Sequence, residues 1–307
     1  MNKRTVAHVA LILTNLFFAI NLSAVKHLTN LHLAKPFGIN VVRVGVSMVL
    51  FWLLFAAKPV NIKIEKKDRL RIFFCALTGI AINQTLFLKG LSLTFSIHAA
   101  LLMLTTPILI VFIAAWALKE RINTIKLVGL ALGIGGATLL VTGKENAGEG
   151  SSILWGDILI LINAVSYTIY FVLVKPLMLK YDPVVIIRWI FTIGFMLVLP
   201  IGYAEFTEIR WGQFTTIDFT AIILIVISGT FLAYLFNVYG IKIVGASIAG
   251  LYIYTQPVFA AIIAMLFLKE ELSMYKIIAA LLIFAGVFLA NNPKKKPDNF
   301  IQNTPNE

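Results

Sequence analysis

Charged residues are scarce in this sequence. Asp, Glu, Lys and Arg make up 13% of its 307 residues and apolar residues 60%, whereas a soluble globular domain carries about 25% and about 45–50%. Water is therefore not the main solvent of the chain. Cysteine occurs once, at Cys75, which excludes an intrachain disulfide and leaves little basis for thiol chemistry. The groupings that catalysis needs are missing as well: the long apolar stretches hold no His-x-x-His and no paired carboxylates, and there is no nucleotide loop. These absences weigh against an ATP-driven pump and place an integral-membrane enzyme acting on a lipid or isoprenoid second. No cofactor and no metal is expected.

What the chain does have is a succession of long apolar runs. About 20 such residues in a helix, rising 1.5 Å each, cover the roughly 30 Å of a bilayer core. The runs fall at residues 5–27, 36–57, 70–91, 94–117, 124–142, 153–174, 183–204, 218–240, 246–268 and 273–291. The fold class expected is thus all-α integral membrane, with ten transmembrane helices. The short links leave no room for a soluble sensor or chaperone domain, and residues 292–307 are too polar to pack and read as a disordered cytoplasmic tail. Asn2-Lys3-Arg4 ahead of the first run imitates a secretory signal. That run exceeds a usual signal core, however, and no small-x-small cleavage site comes after it.

A net charge of +12 would suggest nucleic acid in a soluble protein. Here the basic residues segregate by loop instead, as in proteins that keep Lys and Arg in the cytoplasm. With the N-terminus inside, about 17 basic residues fall in cytoplasmic segments and about 7 outside, while Arg43 and Arg188 lie within helices. Both termini are expected in the cytoplasm, and the protein in the inner (plasma) membrane as a multi-pass chain.

The sequence also repeats itself. A shift of 150 positions sets Gly79 on Gly229, Gly90 on Gly240, Thr105 on Thr255, Pro107 on Pro257, Leu118-Lys119-Glu120 on Leu268-Lys269-Glu270 and Gly136 on Gly286. Small additional shifts bring Asn15 onto Asn163 and Arg43 onto Arg188. The chain thus divides into two units, residues 1–143 and 153–291, each with five of the apolar runs. Because five is odd, the second unit enters the membrane from the opposite side. Halves related in this way suit alternating access, with a site near the midplane exposed by rocking one against the other.

Each half resembles the EamA repeat of the drug/metabolite transporter superfamily. The resemblance rests on the in-helix Arg of the second helix (Arg43, Arg188), the Pro of the fourth (Thr105-Thr106-Pro107, Thr255-Gln256-Pro257), the Lys-Glu after it and a Gly-rich fifth helix. It covers about residues 5–291 and implies ten helices, cytoplasmic termini, a central substrate cavity and alternating access. The aromatic residue common in the middle of the first helix is replaced by Asn15, with Phe17 and Phe18 beside it.

Polar side chains at membrane depth are costly unless they face a cavity or a partner. Asn15, Asn83, Gln84, Thr105, Thr106, Asn163, Tyr234, Thr255 and Gln256 all fall near the middle of their runs. Helical spacing adds Tyr167 and Tyr170 to the face of Asn163, Asn237 to that of Tyr234, and Tyr252 to that of Gln256. As a set they are expected to line a substrate cavity, although any one Asn or Thr serves equally well as interhelical glue. Pro107 and Pro257 are candidate kinks beside it. Arg43 and Arg188 read as snorkelling structural or gating residues in preference to solute ligands, and Glu120 and Glu270 as caps at the start of the next helix. Gly129, Gly133, Gly135 and Gly136 form a small-residue packing surface.

The function expected is a secondary transporter for an amino acid or similar polar or amphipathic solute, working in export. Its partners are the lipid bilayer and the solute, not nucleic acid. Coupling to a proton or counter-solute stays open, as does a homodimer, and His98 is the single titratable residue of Asp, Glu or His type inside the spans with a claim to coupling.

Overall fold

A computed structural model describes residues 2–57, 59, 63–106, 108–109, 124–142, 150–244, 249 and 252–291. Among these residues the regular structure is helical throughout. The helices are α1 (Lys3–Asn30), α2 (Pro36–Ala57), α3 (Lys66–Leu93), α4 (Ser96–Met103) and α5 (Thr124–Thr142), then α6 (Gly150–Lys180), α7 (Pro183–Thr207), α8 (Thr216–Val244), α9 (Ile253–Leu268) and α10 (Met274–Asn291). Six of them, α1, α2, α3, α6, α7 and α8, are long and apolar enough to cross a membrane, and α5, α9 and α10 contain shorter apolar helices. Helix is the form that satisfies every backbone donor and acceptor within one segment, as a hydrocarbon solvent demands.

Several helices outrun the apolar runs read from sequence. α1 continues to Asn30, α3 begins at Lys66, and α6 extends through Pro176 to Lys180. Polar side chains at these ends are compatible with a helix that continues past the hydrocarbon into the interface. Local chemistry sets the starts. Asp182 accepts a hydrogen bond from Val184 N at 2.9 Å ahead of Pro183, and Thr215 and Asp218 form a reciprocal capping box for α8. Where α6 ends beside the start of α3, the Lys180 ammonium lies 2.6 Å from Glu65 and 2.7 Å from Asp68. Its hydrogen bond, with that of Lys67, holds the Glu65 carboxyl below its ordinary range.

The helices pair in a regular way: α2 lies along α7, α5 along α10, α3 along α6, α1 along α8, and α4 against α9. Glycines permit the closest of these approaches. A Cβ on Gly79 would lie 2.4 Å from the Tyr170 ring, and one on Gly229 would lie 2.5 Å from Asn21 Cβ. The two glycines that match in the repeat thus admit side chains at the matching crossings α3–α6 and α8–α1. The same two helices carry π-helical stretches, Leu77–Ile82 in α3 and Leu224–Leu232 in α8. The glycine surface of α5 packs within the chain: a Cβ on Gly286 of α10 would meet Gly129 O at 2.5 Å and Gly133 N at 2.6 Å, whereas Gly135 has nothing within 4 Å.

The orientation read from the basic residues gives a labelling test. In a Cys75→Ala background, a cysteine at Gln213, exposed between α7 and α8, should react with an impermeant maleimide in intact cells. One at Lys67 should react only after permeabilisation. The reverse pattern would invert the topology.

Candidate functional site

A cavity of about 70 Å³ lies among α1, α2, α3, α4, α6, α8 and α9. From α1 come Asn15, Phe18 and Asn21, three residues apart on one stripe. α3 presents Asn83, Gln84 and Phe87 immediately after its π-helical stretch, and α8 presents Tyr234 and Asn237 just after its own. A π turn inserts a residue and rotates the residues beyond it, which here turns amide and phenol groups of two helices toward one space. Asn163 and Tyr167 of α6, Gln256 and Ile253 of α9, and Met103 and Thr106 complete most of the wall.

Many of these groups bond one another. Asn83 Nδ2 donates to Asn163 O at 3.3 Å and Asn163 Nδ2 donates to Asn83 O at 2.7 Å, a reciprocal clamp between α3 and α6. Gln84 Nε2 donates to the Tyr234 hydroxyl at 3.1 Å, and Asn15 Nδ2 to Leu11 O at 2.8 Å. Glue and wall are therefore the same residues here. Four candidates from the sequence stand off the wall. Thr105 and Thr255 donate their hydroxyls to Leu102 O and Tyr252 O, each at 2.7 Å, the local bond a helical Thr forms when nothing better faces it. Tyr252 pairs with His8 at 2.6 Å, and Tyr170 packs over Gly79 behind Tyr167.

The two matched arginines have different surroundings. Arg188 stands over the Phe55 ring at 3.3 Å from its centroid and the Trp52 ring at 4.7 Å, away from the central cavity. It opens instead on a notch of about 530 Å³ shared with Lys63, Arg69 and Trp189. Its Nε is buried without a hydrogen-bond partner. Arg43 is 3% exposed and lines the central cavity. Its Nε donates to Thr230 Oγ1 at 3.1 Å, while Nη1 is buried without a hydrogen-bond partner. Among the described residues no carboxylate lies within ion-pair distance of it. Two acceptors on the same wall, Asn21 Oδ1 and Gln84 Oε1, are also buried and unpaired. Buried polar atoms are ordinarily satisfied, and here one guanidinium nitrogen and two amide oxygens, on three residues of the same wall, are not.

The prolines and acidic caps complete the set of sequence candidates. Pro257 sits at the start of the α-helical part of α9, after a 3-10 turn at Ile253–Thr255. It therefore opens a helical segment, where its missing N–H costs little, instead of kinking one in the middle. Glu270 is a cap, but not of the next helix in the chain: its carboxylate accepts from Ser96 N at 2.9 Å and Ile97 N at 3.0 Å, closing the N-terminus of α4 in the other half. The left-handed turn at Lys269, φ 55°, ends α9 just before it, and the free first-turn donors of α4 supply the attraction. Pro107 and Glu120 lie outside the described residues. Sequence reasoning does not assign Phe18, Asn21, Phe87, Met103 or Ile253 to the cavity. Of these only Asn21 carries a signal, as a polar residue six positions after Asn15 in an apolar run.

Comparison with known proteins bears on the whole chain. The model of the EamA-like transporter family matches twice, at residues 5–142 and 154–292. An uncharacterized transporter of Archaeoglobus fulgidus is 26% identical over 299 residues, covering 94% of this chain and 98% of its own. The uncharacterized transporter YetK of Bacillus subtilis is 25% identical over 83% of this chain and 77% of its own. The uncharacterized inner membrane transporter YicL of Salmonella typhimurium is 23% identical, covering 82% of each chain. A crystal structure 19% identical in sequence superposes with a TM-score of 0.59 over 92% of this chain and 96% of that one, a likeness of fold. With the family's model covering both halves and helices of spanning length in each, the chain is a multi-pass membrane protein that belongs to the EamA-like transporter family.

Proposed function

We propose that this protein is a secondary transporter of an amino acid or a similar small zwitterion, moved by alternating access through the cavity between its halves. The observation that carries the reading is that three residues of one cavity wall, Arg43, Asn21 and Gln84, each hold a buried polar atom without a hydrogen-bond partner. A carboxylate would complete the guanidinium, bidentate where geometry allows. An ammonium would donate to the two amide oxygens. Phe18, Phe87 and Tyr167 offer apolar and aromatic surface for the rest of the solute.

The pairing of helices supports two inverted halves of five. Exchanging the halves carries α2–α7, α5–α10 and α4–α9 onto themselves and α1–α8 onto α6–α3, which are the pairs observed. Two packings related by such an exchange are close in energy, and the space between them opens to either side in turn.

Asn163→Leu, Tyr234→Leu and Gln256→Leu test the cavity. Each should reduce ligand binding or transport beyond what any loss of fold explains, whereas interhelical glue alone would cost about 0.6–2 kcal/mol of stability in step with function. Unchanged affinity in all three, each still folded, would refute the assignment of the cavity.

A further inference from the structure

At the end of the bundle where α3 turns into α4 lies a second polar cluster, none of whose residues line the cavity of Arg43. His98 Nδ1 of α4 is 3.1 Å from Asp157 Oδ2 of α6, and its Nε2 is 3.2 Å from the Tyr275 hydroxyl of α10. Thr94 Oγ1 donates to the other Asp157 oxygen at 2.5 Å. The His98 and Asp157 side chains are 1% and 0% exposed. In the sequence His98 stands alone and Asp157 marks a helix end. The fold makes them one buried acid–base pair.

Charged groups lie on the elements packed around the pair. From α1, Lys26 donates to Leu91 O at 3.3 Å and Thr94 O at 2.6 Å, the carbonyl end of α3. Ahead of α10, Glu270 caps the backbone of α4. Lys276 donates to Glu271 O at 2.9 Å and lies 4.9 Å from the Phe95 ring. The α-helical part of α9 has no titratable residue, and the one charge of α5, Lys126, is in its first turn.

The pair spans the two halves, with Thr94 and His98 in the first and Asp157 and Tyr275 in the second. Rocking the halves apart at this end cannot leave the His98–Asp157 contact intact. We propose that His98 and Asp157 form a proton-binding site that couples closure of this end of the transporter to protonation, an inference that rests on the alternating-access reading above. When the end is closed, the pair is out of water and a net charge there is costly, so it holds one proton as imidazolium–carboxylate or imidazole–carboxylic acid. When the end opens, both groups hydrate and the proton passes from the pair to water, leaving neutral imidazole and carboxylate. Imidazole is the side chain suited to that exchange near neutral pH. Because the proton binds the closed form, low pH favours closure and high pH favours opening.

The test needs no solute. In purified Cys75→Ala protein, Ala99→Cys places a thiol beside His98 at a position that is 0% exposed. Its rate with a water-soluble methanethiosulfonate, divided by that of an exposed Gln213→Cys control, reports opening free of the reagent's own pH dependence. Raising the pH from about 5.5 to about 8 should raise this ratio severalfold, up to about tenfold per pH unit for one linked proton. His98→Gln and Asp157→Asn should each flatten the profile. A ratio that is measurable but independent of pH overturns the proton site and leaves alternating access standing. Absence of labelling at every pH overturns both, since an end that never opens cannot exchange a proton.

Discussion

Replacing Arg43 by Gln is expected to cost a carboxylate-bearing solute about thirtyfold to several thousandfold in affinity, while the protein still folds. The magnitude comes from truncating one member of a buried, hydrogen-bonded charge pair, about 2–5 kcal/mol. The fold should tolerate the change because among the described residues Arg43 holds one side-chain partner, Thr230, and its Nη1 is already unsatisfied. Removing a buried charge with no carboxylate beside it relieves a desolvation cost. Arg43→Lys should recover part of the affinity, keeping the charge but losing the two-pronged geometry. Thermal midpoint and solute titration on the same samples decide the matter. A midpoint that falls with affinity in proportion would make Arg43 a structural residue.

Gly286→Leu should unfold or expel α10. Its Cβ would meet the Gly129 carbonyl and the Gly133 nitrogen, backbone atoms of α5 that cannot rotate aside. Overpacking costs about 1–3 kcal/mol where side chains give way, and here none can, so the upper end of that range or more is expected. Gly135→Leu is the control, because nothing lies within 4 Å of that position. Size-exclusion profile and thermal midpoint should collapse for the first and hold for the second. If Gly135→Leu instead alters the oligomeric state, that open glycine face is where two copies meet.

The two variants mark what is legible in the sequence. Apolar runs and basic asymmetry announce a membrane bundle, because hydrocarbon leaves a chain few alternatives to helix, and the shift of 150 positions pairs Gly79 with Gly229, the glycines of two matching crossings. Depth in the membrane is also readable, so Asn83, Gln84, Asn163, Tyr234 and Gln256 emerge as a set. Direction around a helix is harder. The π-helical stretches in α3 and α8 rotate the residues after them, and nothing in the residue pattern marks those turns. Arg43 and Arg188 match in the repeat yet differ in surroundings, since what each meets depends on helices distant in sequence: Thr230 for one, Trp52 and Phe55 for the other. The same holds for His98, whose partners Asp157 and Tyr275 lie 59 and 177 positions away.

The most direct measurement is a thermal-shift series on the wild-type protein with amino acids, the corresponding amines lacking the carboxylate and the corresponding acids lacking the ammonium. A ligand that binds only the folded state raises the midpoint by mass action, about 2.7 kcal/mol at a hundredfold excess over its Kd. The expected result is a rise with at least one amino acid, a smaller rise with its acid and none with its amine, the order set by Arg43 and the two free amide oxygens. An amine that stabilises the protein as well as the amino acid does would contradict the central claim, because the guanidinium would then face no part of the solute.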